Sequence, residues 1–179
     1  MDKVLSYKEE ITKAMTFLAE QPKTIFIGQT VIYPGSVISD TLKDVPLEKR
    51  LELPVMEECQ MGMGIGLALE GFLPISIYPR IDFLLLACNQ LSNHLDVLDE
   101  LTHNEFNAKV IIRTIVGATK PMYPGIQHCR DHTEAFRALL KNIPVIKLET
   151  AEQVMSVYSQ ALSCNQSVLV VELAELYRE

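Results

Sequence analysis

Two adjacent carboxylates, Glu57 and Glu58, stand directly ahead of Gly62, Gly64 and Gly66 in the segment PVMEECQMGMGIGLALEG. One carboxylate there has a plain use, meeting the positive end of a helix, but two neighbours cannot both point the same way. Glycine in a helix costs about 1 kcal/mol against alanine. Three in so short a span describe a helix whose backbone presses closely on something else, and tight helix–sheet or helix–helix packing satisfies that without a ligand. A dinucleotide loop does not fit, because that fingerprint spaces its glycines by two and then three residues, and here the third falls one residue early.

The elements that must hold these residues follow from periodicity. Tyr7, Ile11, Ala14, Met15 and Leu18 recur at helical spacing, and Pro22 stops that helix before the apolar run TIFIG. The pattern continues with a helix start at Gly35-Ser36 before VISDTLKDV, a short run at RLEL, a helix over Gln60 to Leu69 and a strand at PISIY. A long helical stretch from Phe83 to Leu101 precedes KVIIRTIV, followed by a Pro- and Gly-rich loop and a helix ending near Lys141. PVIKLE, a helix over Ala151 to Ser163 with Val154, Val157, Tyr158 and Leu162 inward, and SVLVVE complete the chain. About six short, nearly all apolar strands alternating with helices predict a single-domain α/β fold, a mainly parallel sheet covered on both faces. The last strand ends close to the terminus, so one domain spanning residues 1–179 is expected.

Ligands of such sheets collect at the carboxyl ends of the strands, where loops carry polar groups without disturbing the core. Those loops hold Gln29, Thr30, Tyr33 and Gly35 after the first strand and Glu57 and Glu58 after the second. Arg80, Asp82 and Phe83 follow the third, and His128 and His132 the fourth.

Composition removes several classes of function. A net charge of -7 with no basic cluster repels phosphate backbones, which argues against nucleic acid as a partner. No apolar run approaches the roughly 20 residues of a membrane helix, and MDKVLSYKEE carries no leader-like apolar stretch, so a cytoplasmic location is expected. Cys59, Cys88, Cys129 and Cys164 are scattered without a CxxC pair, which suggests reduced core thiols and no metal cage.

PVMEE, GMGIGLALEG, PISIY, Phe83 and NQLSNH, in register and without a gap from Glu57 to His94, resemble the beta subunit of the decarboxylase component of 2-oxo acid dehydrogenases. More broadly they resemble the pyrimidine domain of transketolase-like, thiamine-diphosphate-dependent enzymes. The likeness runs from TIFIGQTVIYPG to VLVVELAELY. It implies that Glu57 hydrogen-bonds the ring nitrogen of the aminopyrimidine and so promotes removal of the thiazolium proton, in a dry site that keeps the carboxyl protonatable. It places the aromatic ring that stacks on the pyrimidine at Phe83, 26 residues after Glu57, where a plain core phenylalanine is the alternative. Met56 and Tyr78 are expected to line the same pocket. Relatives carry an active-site histidine after glutamine; Gln127-His128 matches the dipeptide, while counting back from Asn142-Ile143-Pro144 selects His132. Both remain candidates for proton transfer, with His128 preferred, and His94 and His103 are read as solvated.

One departure stands out. The acidic pair that relatives carry after the strand-end glycine is replaced by Gln29 and Thr30, which removes negative charge beside the cofactor; Gln29 can hydrogen-bond cofactor or substrate but is no base. No glycine is followed by aspartate, so the resemblance implies that Mg2+ and the diphosphate are held by an alpha-type partner subunit, in a heterotetramer of two heterodimers. The second domain of those beta subunits is absent from this sequence. The reading is therefore a pyrimidine-binding subunit acting on a 2-oxo acid or ketose, by decarboxylation with acyl or ketol transfer. The competing reading is an inert α/β scaffold or regulatory subunit that keeps the fold.

Overall fold

The computed structural model describes residues 5–178. The first four residues of MDKVLSYKEE, on which part of the leader expectation rests, lie outside the described residues. Six strands form one sheet: β1 (Thr24–Gly28), β2 (Arg50–Glu52), β3 (Leu73–Tyr78), β4 (Ile111–Val116), β5 (Val145–Lys147) and β6 (Val168–Leu173). Their order is β2-β1-β3-β4-β6-β5 and every neighbouring pair is parallel. The expected α/β architecture is thus present, with each strand where an apolar run places one.

The two faces of the sheet are covered because strand residues alternate between two cores. Val168 and Val170 of β6 join Phe26, Ile75 and Ile77 beneath α1 (Tyr7–Ala19) and α8 (Ala151–Ser163). Leu169 and Val171 join Ile112 and Tyr78 on the other face, under Met61, Leu84, Leu91 and Phe136. α1 starts at Ser6, whose hydroxyl accepts from the Glu9 amide while the Glu9 carboxylate accepts from the Ser6 amide. α2 (Val37–Thr41) is short, and α3 (Glu57–Leu69) begins three residues earlier than its periodicity suggests, on Glu57 itself.

The stretch expected as one long helix is instead a succession of single turns. α4 (Ile81–Leu84), a 3-10 turn at Leu85–Ala87, α5 (Cys88–Gln90), a wide π turn at Leu91–Leu95 and α6 (Leu98–Leu101) follow one another. Leu84, Ala87, Leu91 and Leu95 are all buried, so the apolar stripe is continuous although the winding is not. After the π turn, the Asp96 carboxylate accepts the backbone amides of Lys141, Asn142 and Ile143 at 2.9–3.0 Å. This ties the irregular layer to the end of the chain's next helix, α7 (Thr133–Leu139). Among the described residues no helix is long and apolar enough to cross a membrane.

One feature of the core is hidden in apolar runs. Arg113 of β4 and Glu172 of β6 form an ion pair at 2.8 Å with both side chains fully buried. Tyr158 donates to Glu172 at 2.6 Å, Tyr177 donates to the same carboxylate, and Arg113 donates to Thr41 Oγ1 at 2.9 Å. Burial pushes the Tyr158 and Tyr177 phenols up, and the Glu172 charge adds to that.

Candidate active site

β1 ends at Gly28, with φ +149° and the Ile77 carbonyl only 2.3 Å from where a Cβ would stand. Glycine is required there. The close approach lets Gln60 of α3 donate to the Ile77 carbonyl at 2.9 Å and Ser76 Oγ at 3.1 Å. Gln60 Oε1 in turn accepts from Gln29 Nε2 at 2.9 Å, and the same nitrogen donates to the Pro54 carbonyl at 3.1 Å. The amide nitrogen of Gln29 is therefore committed to the protein and holds the β1 loop to α3. Gln60 escaped the sequence reading, although it lies three residues after Glu57, on the same helical face.

The loop after β1 is held by an acidic residue of the neighbouring strand. Glu52, the last residue of β2, accepts the backbone amides of Thr30 at 2.6 Å, Val31 at 2.8 Å and Ile32 at 2.9 Å. Thr30 takes φ +61° so that the amides can converge. A carboxylate reaching across from the neighbouring strand thus fixes the loop that carries Gln29 and Thr30.

Glu57 opens α3 and is only 5% exposed. The N-cap is Met56, half exposed and without a side-chain cap bond, and Glu58 points outward, so neither glutamate caps the helix through a hydroxyl-type contact. Beneath them Tyr78 is fully buried and donates its hydroxyl to the Glu57 carbonyl at 3.3 Å. Burial pushes the Tyr78 phenol up, which keeps it a donor. No hydrogen bond to the Glu57 carboxylate is present among the described residues.

Phe83 sits in α4, directly after β3, and its ring meets His128 edge to face with centroids 5.5 Å apart. His132 instead lies 3.5 Å from the Asp82 carboxylate. The two candidate histidines therefore flank the same short helix, His128 against Phe83 and His132 against Asp82. Gly117, at the end of β4, makes this possible: a Cβ there would lie 1.9 Å from the His128 carbonyl oxygen. Farther along the loop, burial alone would raise the Asp131 carboxyl, but hydrogen bonds from Lys147 and Thr133 outweigh it and hold it at about 2. Gln29, Glu57, Phe83 and His128 thus follow β1, β2, β3 and β4, four consecutive neighbours in the sheet.

Among the described residues eight buried side-chain polar atoms lack a partner, and four of them lie at this end of the strands: Thr30 Oγ1, Arg80 Nε, Asp82 Oδ2 and His128 Nδ1. Such atoms are costly unless something meets them, so the residues fit a polar ligand at this edge. No group of three or more His, Cys, Asp or Glu among the described residues could hold a metal ion. A cavity of about 880 Å³ runs beside α1 and includes none of Glu57, Phe83 or His128.

α3 presents two different faces. A Cβ at Gly64 would meet Ile27 and Val110 at ordinary contact distances, whereas one at Gly62 or Gly66 would meet open space. Met63, on the turn between them, is 37% exposed, and Val55 is 75% exposed. The close packing expected of the glycines is not made by this chain's own sheet. Cys59, also on that outer face, is exposed and the other three cysteines are half-buried, so the expectation of core thiols is not met. His94 and His103 are exposed, as expected.

No family model matches the chain. It is 30% identical over 167 residues to the pyruvate dehydrogenase E1 component subunit beta of Cyanidium caldarium, covering 89% of this chain and 49% of that protein. It is 25% identical over 182 residues to the 2-oxoisovalerate dehydrogenase subunit beta of Bacillus subtilis, covering 98% and 54%. The chain spans about half the length of these curated relatives. Among solved structures, a split-gene transketolase described as an inactive beta4 tetramer aligns with a TM-score of 0.71 at 19% identity, over 94% of this chain and 51% of that one. Transketolase from Campylobacter jejuni aligns with a TM-score of 0.69 at 14% identity, over 93% and 25%. The homologues of this chain are therefore the beta subunits of pyruvate and 2-oxoisovalerate dehydrogenases, and its fold is that of the pyrimidine-type domain of transketolase.

Proposed function

We propose that the chain supplies the pyrimidine-binding half of a thiamine-diphosphate-dependent active site, completed by an alpha-type partner that holds the diphosphate and Mg2+. The observation that carries this reading is Glu57: a buried carboxylate, uncommitted to any protein hydrogen bond among the described residues, at the start of α3 and at the same end of the sheet as Phe83 and His128. The coenzyme, when bound, supplies a carbon nucleophile for the carbonyl of a 2-oxo acid or ketose. Glu57 would offer its carboxyl group to the pyrimidine ring nitrogen as the acid–base partner. Tyr78 fixes the first turn of α3 from below, and Met56 lies at the rim. Phe83 covers a flat face of the ring and excludes water. His128 serves proton transfer at the substrate, and His132 is held at the far side of α4 by Asp82. Gln29 contributes by anchoring the β1 loop through Gln60.

The exposed glycine face of α3, with Val55 and Met63, is the surface on which the partner packs. A beta chain of related fold is inactive as a beta4 tetramer, which supports a requirement for an alpha subunit in a heterotetramer. The reaction class is decarboxylation with acyl or ketol transfer.

The test is the complex purified with a diphosphate-binding partner. Glu57→Gln is expected to lower turnover by roughly 10²–10⁴-fold, the range of a lost acid–base group. Thiamine diphosphate with Mg2+, at about 100 times the dissociation constant, is expected to stabilise the wild-type complex by roughly 2.7 kcal/mol. A flat thermal response in the wild-type complex, or full turnover in Glu57→Gln, overturns the reading and leaves the inert scaffold.

A further inference from the structure

We propose that Arg80 is a specificity residue that binds a carboxylate or phosphate group of the substrate, remote from the reacting carbonyl, in a cavity over the ends of β4 and β6. As a statement about substrate it rests on the function proposed above.

Arg80 stands between β3 and the helix that carries Phe83. One of its terminal nitrogens donates to the carbonyl of its own neighbour Pro79 at 2.7 Å, while Nε is buried without a partner. Among the described residues no carboxylate pairs with it. A partly buried guanidinium lacking a counter-charge is unfavourable, and the fork of donors it offers matches a carboxylate or phosphate.

The surroundings are arranged for the same charge. Arg80 lines a cavity of about 320 Å³ together with Arg178, Lys8, Ile115, Met122 and Tyr177, and no acidic side chain is in its wall. Lys8 is already paired with Asp40 at 2.6 Å, so Arg80 and Arg178 set the local sign in a chain whose net charge is -7. Ile115 and Met122 give room for a few carbons beside the charged end.

Gly117 lies between Arg80 and the loop that carries His128. The point where its Cβ would stand is 1.9 Å from the His128 carbonyl and 3.1 Å from Arg80 Nε, so the arginine and the histidine loop are packed side by side over one glycine. An anion on Arg80 would therefore lie next to the loop that carries His128. Neither composition nor strand order points to this residue; the orphaned Nε does.

The experiment titrates the partner-bound complex with inorganic phosphate and, separately, with succinate, against sodium chloride at matched ionic strength, by calorimetry. Saturable binding of at least one probe is expected, weakened on the order of 30-fold by Arg80→Met and partly restored by Arg80→Lys, as for loss of a charged hydrogen bond. The probe that saturates identifies phosphate or carboxylate. Equal binding by wild type and Arg80→Met, or no saturation beyond chloride with either probe, overturns the proposal. Thermal stabilisation by thiamine diphosphate and Mg2+ in the Arg80→Met complex shows that the variant is folded. Arg178→Met, expected to weaken the same probe, provides a second variant should Arg80→Met not assemble. Anion binding without any coenzyme response would leave Arg80 standing while removing the proposed reaction, so the two failures are distinct.

Discussion

The ring of Phe83 stands edge-on to the imidazole of His128, with centroids 5.5 Å apart and an angle of 88° between the planes. This contact joins the turn after β3 to the loop after β4 and gives His128, unlike His132, a direct neighbour in the aromatic residue assigned to the coenzyme ring. Imidazole and phenyl in this arrangement attract through the quadrupole as well as by contact, worth about 0.5–1.5 kcal/mol in comparable pairs.

Gly117→Ala tests whether that placement matters. The added methyl would stand 1.9 Å from the His128 carbonyl oxygen, a backbone atom that cannot rotate away. The loop must shift, and a displacement of about 1 Å at a catalytic group costs on the order of 10²-fold. The expected outcome is turnover lowered to that degree with little change in coenzyme affinity. Unchanged turnover would mean that His128 takes no part.

Glu52→Gln tests the loop after β1. Three amides converge on this carboxylate, and the uncharged amide side chain accepts them less well. Hydrogen bonds to a charged group contribute roughly 1.5–3 kcal/mol each, so a loss of about 2 kcal/mol in urea unfolding is expected. A change below about 0.5 kcal/mol would show that the loop is held by other means.

Alkaline pH tests the buried cluster around Glu172. Tyr7, Tyr158 and Tyr177 are all pushed above the ordinary phenol value, chiefly by burial. A group whose folded value is raised leaves stability intact below its unfolded value, here about 10, and erodes it as pH rises further. Phenolate absorbance of these rings is therefore expected to appear together with loss of the circular dichroism signal above about pH 10. Full ionisation with the fold retained would contradict the burial argument.

The six strands were legible because a parallel sheet covered on both sides demands short apolar runs, and TIFIG, PISIY and SVLVVE are such runs. Glu57 and Phe83 were legible through their register with a known family, and they follow β2 and β3, the strands on either side of β1. Glu52, Gln60 and Asp96 were not. Each acts on backbone or side-chain groups 15 or more residues away, and nothing in local periodicity distinguishes them from surface polar residues. Arg113 was hidden for the opposite reason, since IIRTIV reads as an apolar strand with one interruption and gives no sign of the acid on β6. The irregular winding after Phe83 was missed because Leu84, Ala87, Leu91 and Leu95 keep a helical stripe while the turns between them change pitch.

The sheet closes at both margins with three-residue strands, β2 and β5. So little unpaired main chain offers a poor template for another strand, which discourages association by sheet extension. Any association of this chain is then left to helices, and to side-chain fit more than to backbone pairing.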